Sequence, residues 1–473
     1  MRFFIFIFSL CLLFICVLRR LLAKKTYAIM AMGDFMSDII KGFNRTECAC
    51  GLEHIFTSEV LIGKGTINRL PDILTKLGAK KVFVLADKNT FEAAGKVVCA
   101  AIEGFELCRY VFDRDALEPD EASVGLAVMH YPPESDVVIG VGSGVINDIG
   151  KIVAATANKP YIIVGTAPSM DGYASATSSM TRDGLKISLN SKCADVIIGD
   201  TDVLCRAPIK MMASGIGDML AKYVSICEWR ISNLINGEHY CPEIADLVRG
   251  SLKNCVDNAD GLLRRDVAAI ESVFEGLVVC GVAMKYAGSS RPASGVEHYI
   301  SHVWDMRGAE YKLDTELHGV QCAYGTLLAV RLYNKLISII PDREKALSYV
   351  SSFDVEKWHG ELRALLGKGA ESMILLEQKE GKYDKNAHKE RLEIIISNWD
   401  DIIRIIKEEL PPISELEGLM LALGLPTECE QAGANAPLDL TLKATKDIRD
   451  KYVLSRLLWD LGLLEDFAAS LKA

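Results

Sequence analysis

From about residue 58 onward, short β-branched and aliphatic runs alternate with stretches whose apolar positions recur at helical spacing, the texture of βαβ units around a parallel sheet. Residues 81–86 predict a strand ending at Asp87, followed by a helical pattern over 90–103. Residues 136–139 predict a second buried strand ending in Gly140, and 161–164 a third ending in Gly165-Thr166. A fourth, over 196–198, runs on to Asp200. Beyond Pro208 the texture changes to long amphipathic helical stretches at 211–232, 268–286 and 315–340, with few strand signals. The last third reads as helical too, including the charged segment 378–393 and the Pro411-Pro412 break. The pattern predicts an α/β unit over 46–208, an all-helical unit over 209–473 and a boundary at 203–210, with no internal repeat or low-complexity tract.

Residues 1–45 form an apolar leader and lead-in. Residues 3–18 are almost wholly apolar and are followed by Arg19, Arg20, Lys24 and Lys25. The run is short for a bilayer span of about 20 residues, and no small-residue cleavage site follows it. It reads as a signal anchor that keeps the chain on the cytoplasmic side, or as the product of a start assigned upstream of Met30 or Met32. A membrane is a partner only if this leader is real. The rest of the chain has the composition of a cytoplasmic globular protein. Its net charge of −10 is spread along its length, and no basic cluster beyond residue 30 marks a nucleic-acid surface. The 14 cysteines are diluted over 473 residues and many sit singly in apolar runs, which predicts reduced, buried thiols. Cys48-Ala49-Cys50 with His54 carries zinc-type donors but lacks a fourth ligand and the usual two-residue gap between cysteines. It therefore reads as ordinary sequence.

Two constellations carry chemistry. Gly140-Val141-Gly142-Ser143-Gly144 leaves a strand and opens a helical pattern over 145–156. Glycines there let the backbone approach a pyrophosphate, and the helix start offers amides and a positive dipole end. The spacing is not the usual dinucleotide fingerprint, but Asn147, Asp148 and Lys151 follow on the helix. A second polar turn, Thr166-Ala167-Pro168-Ser169, ends the next strand, and two such turns make a nucleotide crevice. The other constellation begins with Asp218, a lone carboxylate in the apolar stretch Gly215-Ile216-Gly217-Asp218 that needs a cation or a hydrogen-bond network. His298 and His302 share one helix face, and His318 opens another helix. Together they offer nitrogen and oxygen donors suited to zinc, nickel or iron, with a coordination position left open.

These residues resemble the sn-glycerol-1-phosphate dehydrogenases, a branch of the superfamily of glycerol dehydrogenase, iron-dependent alcohol dehydrogenases and dehydroquinate synthase. The likeness runs from about Cys48 to near the C-terminus. It rests on the glycine turn with Asp148 and Lys151, the Thr-Ala-Pro-Ser turn with Asp171-Gly172, the Gly-x-Gly-Asp of Asp218, the stretch from Ser290 to His298, and His318-Gly319. It implies a Rossmann-like nucleotide-binding domain followed by an all-helical metal-binding domain, as in dehydroquinate synthase. It implies NAD or NADP contacts from Gly142, Gly144, Val145, Ile146, Asn147, Asp148, Thr166, Ala167, Pro168, Ser169 and Ser175, with Asp87 meeting the ribose. Asp218, His298 and His318 are then the metal ligands, and Asp171 and His302 face the substrate. The implied substrate is dihydroxyacetone phosphate, and a homodimer is implied as well. Two positions depart from the family pattern: Ser143 replaces a familiar third glycine, and Met170 stands where a histidine is common.

The expected chemistry is Lewis-acid polarisation of a ketone during hydride transfer, with His302 or a water it holds returning the proton and Asp171 orienting substrate hydroxyls. Arg291 is the candidate for the substrate phosphate, because a guanidinium presents a fork to phosphate oxygens; the alternative is a structural ion pair with Glu297 or Asp305. Competing readings are a glycerol dehydrogenase, a lyase that recycles bound NAD, and an inactive membrane-tethered binding protein.

Overall fold

The computed structural model describes residues 44–114, 117–182 and 185–472. The apolar leader lies outside them. Among the described residues there are eight strands: β1 (Glu59–Gly63), β2 (Lys81–Asp87), β3 (Glu106–Phe112), β4 (Val137–Gly142), β5 (Tyr161–Gly165), β6 (Thr177–Arg182), β7 (Leu185–Asn190) and β8 (Val196–Asp200). Six of them form one sheet in the order β1-β8-β5-β4-β2-β3 with every neighbouring pair parallel, and β6-β7 is a separate antiparallel hairpin. β4, β5 and β8 are buried at every position, as strands covered on both faces must be. Their side chains alternate between two cores. Val82, Val84, Val137, Ile139 and Ile198 face one of them, while Phe83, Leu85, Val138, Ile163 and Ile197 face the other.

The helices that matter for the site are α1 (Gly144–Ala157), α2 (Ile209–Leu220), α3 (Lys222–Asn236), α4 (Val267–Ala287), α5 (Val296–Tyr311) and α6 (His318–Leu336). The stretch that reads as one helix over 211–232 is two, parted at Ala221, whose carbonyl accepts from both Val224 and Ser225 amides. The apolar pattern continues through that break and so hides it. Helix α4 is long and apolar enough to cross a membrane, yet 72% of its apolar window is buried inside the protein, so it is a core helix. Its Phe274 ring lies against the sheet where β5 and β8 carry Gly165 and Gly199; a Cβ there would come within 2.8 and 2.4 Å of the ring. That contact joins the helical part to the sheet. The apolar pattern predicts no strand at β1, β3 or the β6-β7 hairpin, yet all are formed. β6 reads Thr-Ser-Ser-Met-Thr-Arg and has no apolar run to betray it.

The chain turns back on itself between β2 and β4. β3 lies outside β2 on one side, and β4, β5 and β8 continue on the other. Such a reversal leaves a crevice at the carboxyl ends of the two strands, where Asp87 and the glycine turn are found.

Candidate metal and nucleotide cleft

Three helices bring the ligand candidates together. Asp218 from α2 is fully buried, and His298 Nε2 from α5 stands 3.5 Å from its Oδ1. The His298 and His318 rings are 5.0 Å apart, and His302 lies 6.5 Å from His298 and 6.1 Å from His318. His298 links two groups of donors, each gathered within 4.8 Å: Asp171 and Asp218 on one side, His318 and Cys322 on the other. Each candidate imidazole is held through its other nitrogen. His298 Nδ1 pairs with Glu297 Oε1 at 2.8 Å, and His318 Nδ1 with Ser301 Oγ at 3.1 Å. Such partners fix the ring orientation and leave Nε2 for an ion. A buried carboxylate, two oriented imidazoles and an adjoining open cleft make a donor set that fits a divalent metal.

Charge in the cluster is balanced by Lys222, itself fully buried. Its Nζ donates to Asp171 Oδ2 at 2.8 Å, Asp218 Oδ1 at 2.9 Å and the Ala293 carbonyl at 3.0 Å. Burial alone would raise Asp218, but Lys222 and His298 outweigh it and hold the carboxyl well below its usual range. His318 is lifted to about 9, burial being overcome by Cys322. His302 goes the other way: burial, reinforced by Arg449 and the two neighbouring imidazoles, pushes it well below its ordinary value, so it stands neutral.

The cleft has a volume of about 660 Å³, and the glycine turn forms its opposite wall. Gly144, Val145, Asp148 and Ser175 line it, as do Met170, Asp171, His298, His302 and His318. Gly142 is required by packing, since a Cβ would lie 2.6 Å from that of Ile146. Asp87 closes β2 and accepts from the Asn89 and Thr90 amides through Oδ1 alone.

Several candidates sit elsewhere than the sequence suggests. Ile146 belongs to the core, and the Asn147 amide donates to the Gly172 carbonyl at 2.9 Å, strapping the 171–177 loop to α1. Thr166, Ala167, Pro168 and Ser169 are buried under α2, where Ser214 Oγ donates to the Ser169 carbonyl at 3.0 Å. Their side chains do not line the cleft. Arg291 is the clearest correction: it is buried and forked onto Glu238 at 2.6 and 2.7 Å, with a further bond to the Tyr452 carbonyl. Its ion pair is therefore with neither Glu297 nor Asp305, and it faces away from the cleft. The cations that do line the cleft are Lys186, Lys285 and Arg449. Lys186 sits on the unpredicted hairpin, and Arg449 lies far along the chain, where its side chain donates to Ser188 Oγ at 3.1 Å. Neither carries a local signal. Lys222 does carry one, its four-residue spacing from Asp218 on the apolar stretch.

Comparison with known proteins adds to this geometry. Residues 61–208 match the iron-containing alcohol dehydrogenase family. The chain is 35% identical over 308 residues to the glycerol-1-phosphate dehydrogenase [NAD(P)+] of Halalkalibacterium halodurans, spanning 63% of this chain and 77% of that one. It is 31% identical to the protein of the same name from Thermococcus sibiricus, over 58% of this chain and 77% of its relative. Among solved structures, glycerol dehydrogenase from Schizosaccharomyces pombe shares the fold at 18% identity and a TM-score of 0.55, covering 89% of this chain and 93% of that one. Maleylacetate reductase from Rhizobium sp. shares it at 15% identity and a TM-score of 0.58, covering 88% and 96%.

Proposed function

The chain belongs to the glycerol-1-phosphate dehydrogenase family, and from that premise we propose that it reduces the central carbonyl of dihydroxyacetone phosphate to sn-glycerol 1-phosphate with NADH or NADPH. One observation carries the reading: the glycine turn, the His298 and His318 imidazoles and two cations, Lys186 and Arg449, all open on a single cleft, with the buried Asp218 carboxylate 3.5 Å behind His298. A divalent ion of zinc, nickel or iron held by those three donors supplies Lewis acidity at the substrate oxygen. The residues around it do the rest. Glu297 and Ser301 keep the imidazoles in register, and Lys222 holds the Asp171 and Asp218 carboxyl groups in place by donating to both. Asp171 orients the substrate hydroxyl. Lys186 and Arg449 receive the phosphate, the role that sequence alone suggests for Arg291. Neutral His302, or a water it holds, gives a proton to the product oxygen and regains one from solvent through the open cleft. Asp87, at the end of β2, disfavours a 2′-phosphate and tilts the choice toward NADH. The described cysteines are all free, which suits a reducing cytoplasm.

The test is NADH oxidation with dihydroxyacetone phosphate, before and after chelation, with chiral analysis of the product. Chelator-sensitive turnover to the 1-phosphate enantiomer is expected. Faster turnover of unphosphorylated dihydroxyacetone, or no net consumption of NADH, would sink the reading.

A further inference from the structure

The motif Cys48-Ala49-Cys50 with His54 has no place in the cleft, and on its own it is one donor short of a closed metal site. Folding brings up the fourth. Cys241, which precedes the helix Pro242–Asp257, places its Sγ 3.7 Å from Cys48 Sγ and 3.9 Å from His54 Nε2, while Cys50 Sγ lies 3.4 Å from that nitrogen. All four donor atoms lie within 4.8 Å of one another. A tetrahedral zinc ion at its ordinary bond lengths has edges of about 3.8 Å between sulfurs and about 3.5 Å between sulfur and nitrogen. The three separations of 3.7, 3.4 and 3.9 Å lie close to those edges, and the remaining ones fall within 4.8 Å. We propose that Cys48, Cys50, His54 and Cys241 hold a structural zinc ion, a second metal site separate from the cleft.

The surroundings are built for it. Arg45 and His54 exchange two backbone hydrogen bonds of 2.8 Å, and the Gly51 amide closes the turn onto the Cys48 carbonyl at 2.9 Å, with Gly51 at φ +83°. The Cys50 amide points at Cys48 Sγ at 3.5 Å, a bond that favours a coordinated thiolate. Cys241 stands at the N-terminal boundary of a helix of 16 residues, which fixes the position of its sulfur. His54 and Cys241 are buried, and Cys48 and Cys50 are partly exposed, which leaves a path of entry. Four protein donors leave no open position, so the site is structural rather than catalytic. A Cys48–Cys241 disulfide would need the sulfurs to close from 3.7 Å to about 2.05 Å and would use only two of the four converging donors. The clamp has work to do: the same lead-in segment is tied to α4 by the Tyr286 hydroxyl, which donates to Asn44 at 2.8 Å, and the end of α4 forms part of the cleft wall.

Metal analysis of the purified full chain should find one zinc per chain that persists in Asp218→Ala/His298→Ala and is lost in Cys48→Ser/Cys241→Ser. Cobalt loading is done in a Cys322→Ser background, because Cys322 adjoins the cleft imidazoles. It should show a thiolate-to-metal charge-transfer band. Peptide mapping after alkylation should find Cys48, Cys50 and Cys241 protected until a chelator is added. Should the cysteine variants fail to fold, the cobalt spectrum and the mapping decide the matter. Unchanged zinc content in the cysteine variants, free alkylation of Cys48 and Cys50 in zinc-supplemented protein, or recovery of a Cys48–Cys241 disulfide peptide would each overturn the proposal.

Discussion

Arg291 and Arg449 carry the same charge and differ in what surrounds it. Arg291 is buried but its partner Glu238 is 32% exposed, so removing the guanidinium should cost less than the about 3–5 kcal/mol of a fully buried pair. Arg291→Leu is therefore expected to lower the unfolding midpoint while leaving KM for dihydroxyacetone phosphate unchanged in whatever protein remains folded. Arg449→Leu should do the reverse. Losing a charge-assisted contact of about 1.5–3 kcal/mol raises KM roughly ten- to a hundredfold with little change in stability; steady-state kinetics beside thermal melts separate the two. His302→Ala should keep the metal and lower kcat by about 10²–10⁴, and loss of metal in that variant would move His302 into the ligand set. Behind the ligands, Glu228 accepts the Leu454 and Val296 amides, and burial together with Glu297 lifts its carboxyl to about 8. A carboxyl raised on folding adds stability that is complete below its unfolded value of 4.5 and is lost as pH climbs through about 8. The wild-type melting temperature should thus fall across that window by the equivalent of a few kcal/mol, and Glu228→Gln should flatten the slope. An identical slope in both proteins would remove Glu228 from this account.

Elements meet in this protein through several closely packed glycines, among them Gly215 and Gly319. A Cβ at Gly215 would lie 1.8 Å from the Pro168 carbonyl oxygen, and one at Gly319 would lie 1.9 Å from the Ser214 carbonyl oxygen. Helix α2 is thereby pressed onto the turn after β5 on one side and onto α6 on the other, and this approach sets Asp218 beside the start of the helix that carries His318. Gly319→Ala should cost about 1–3 kcal/mol by overpacking and lower metal affinity, because it displaces one ligand helix against another. Gly250, inside Pro242–Asp257, is the control, since a Cβ added there would meet no atom within 4 Å: Gly250→Ala should stabilise by about 0.5–1 kcal/mol. Denaturant melts with metal titrations would show both, and equal effects would refute the packing argument. The glycine turn and the amphipathic helices are legible in the sequence at this scale because each is written in a few consecutive residues. The hairpin β6-β7 is not, since a polar strand announces itself only through its partner.

Across the whole molecule, the sheet supplies the cleft wall that carries the glycine turn, and the helices supply the wall that carries His298 and His318. A ligand bound to the folded state alone stabilises it by mass action, so NADH at about a hundred times its Kd should add about 2.7 kcal/mol. That gain, read as a rise of a few degrees in melting temperature, should persist in Asp218→Ala; its disappearance there would show the two walls to be one binding unit. The residue order along the chain made legible the α/β-then-helical texture, the phosphate-type turn and the candidates Asp218, His298 and His318, because periodicity, turn chemistry and donor type are local properties; their role as ligands is what the family resemblance implies. Only the tertiary structure decided that Arg291 turns away while Arg449 and Lys186 line the cleft, that Lys222 neutralises two carboxylates, and that Cys241 completes a set begun at Cys48. Those are meetings between residues distant in sequence. They depend on strand order and helix crossings, and no short stretch of the chain encodes either.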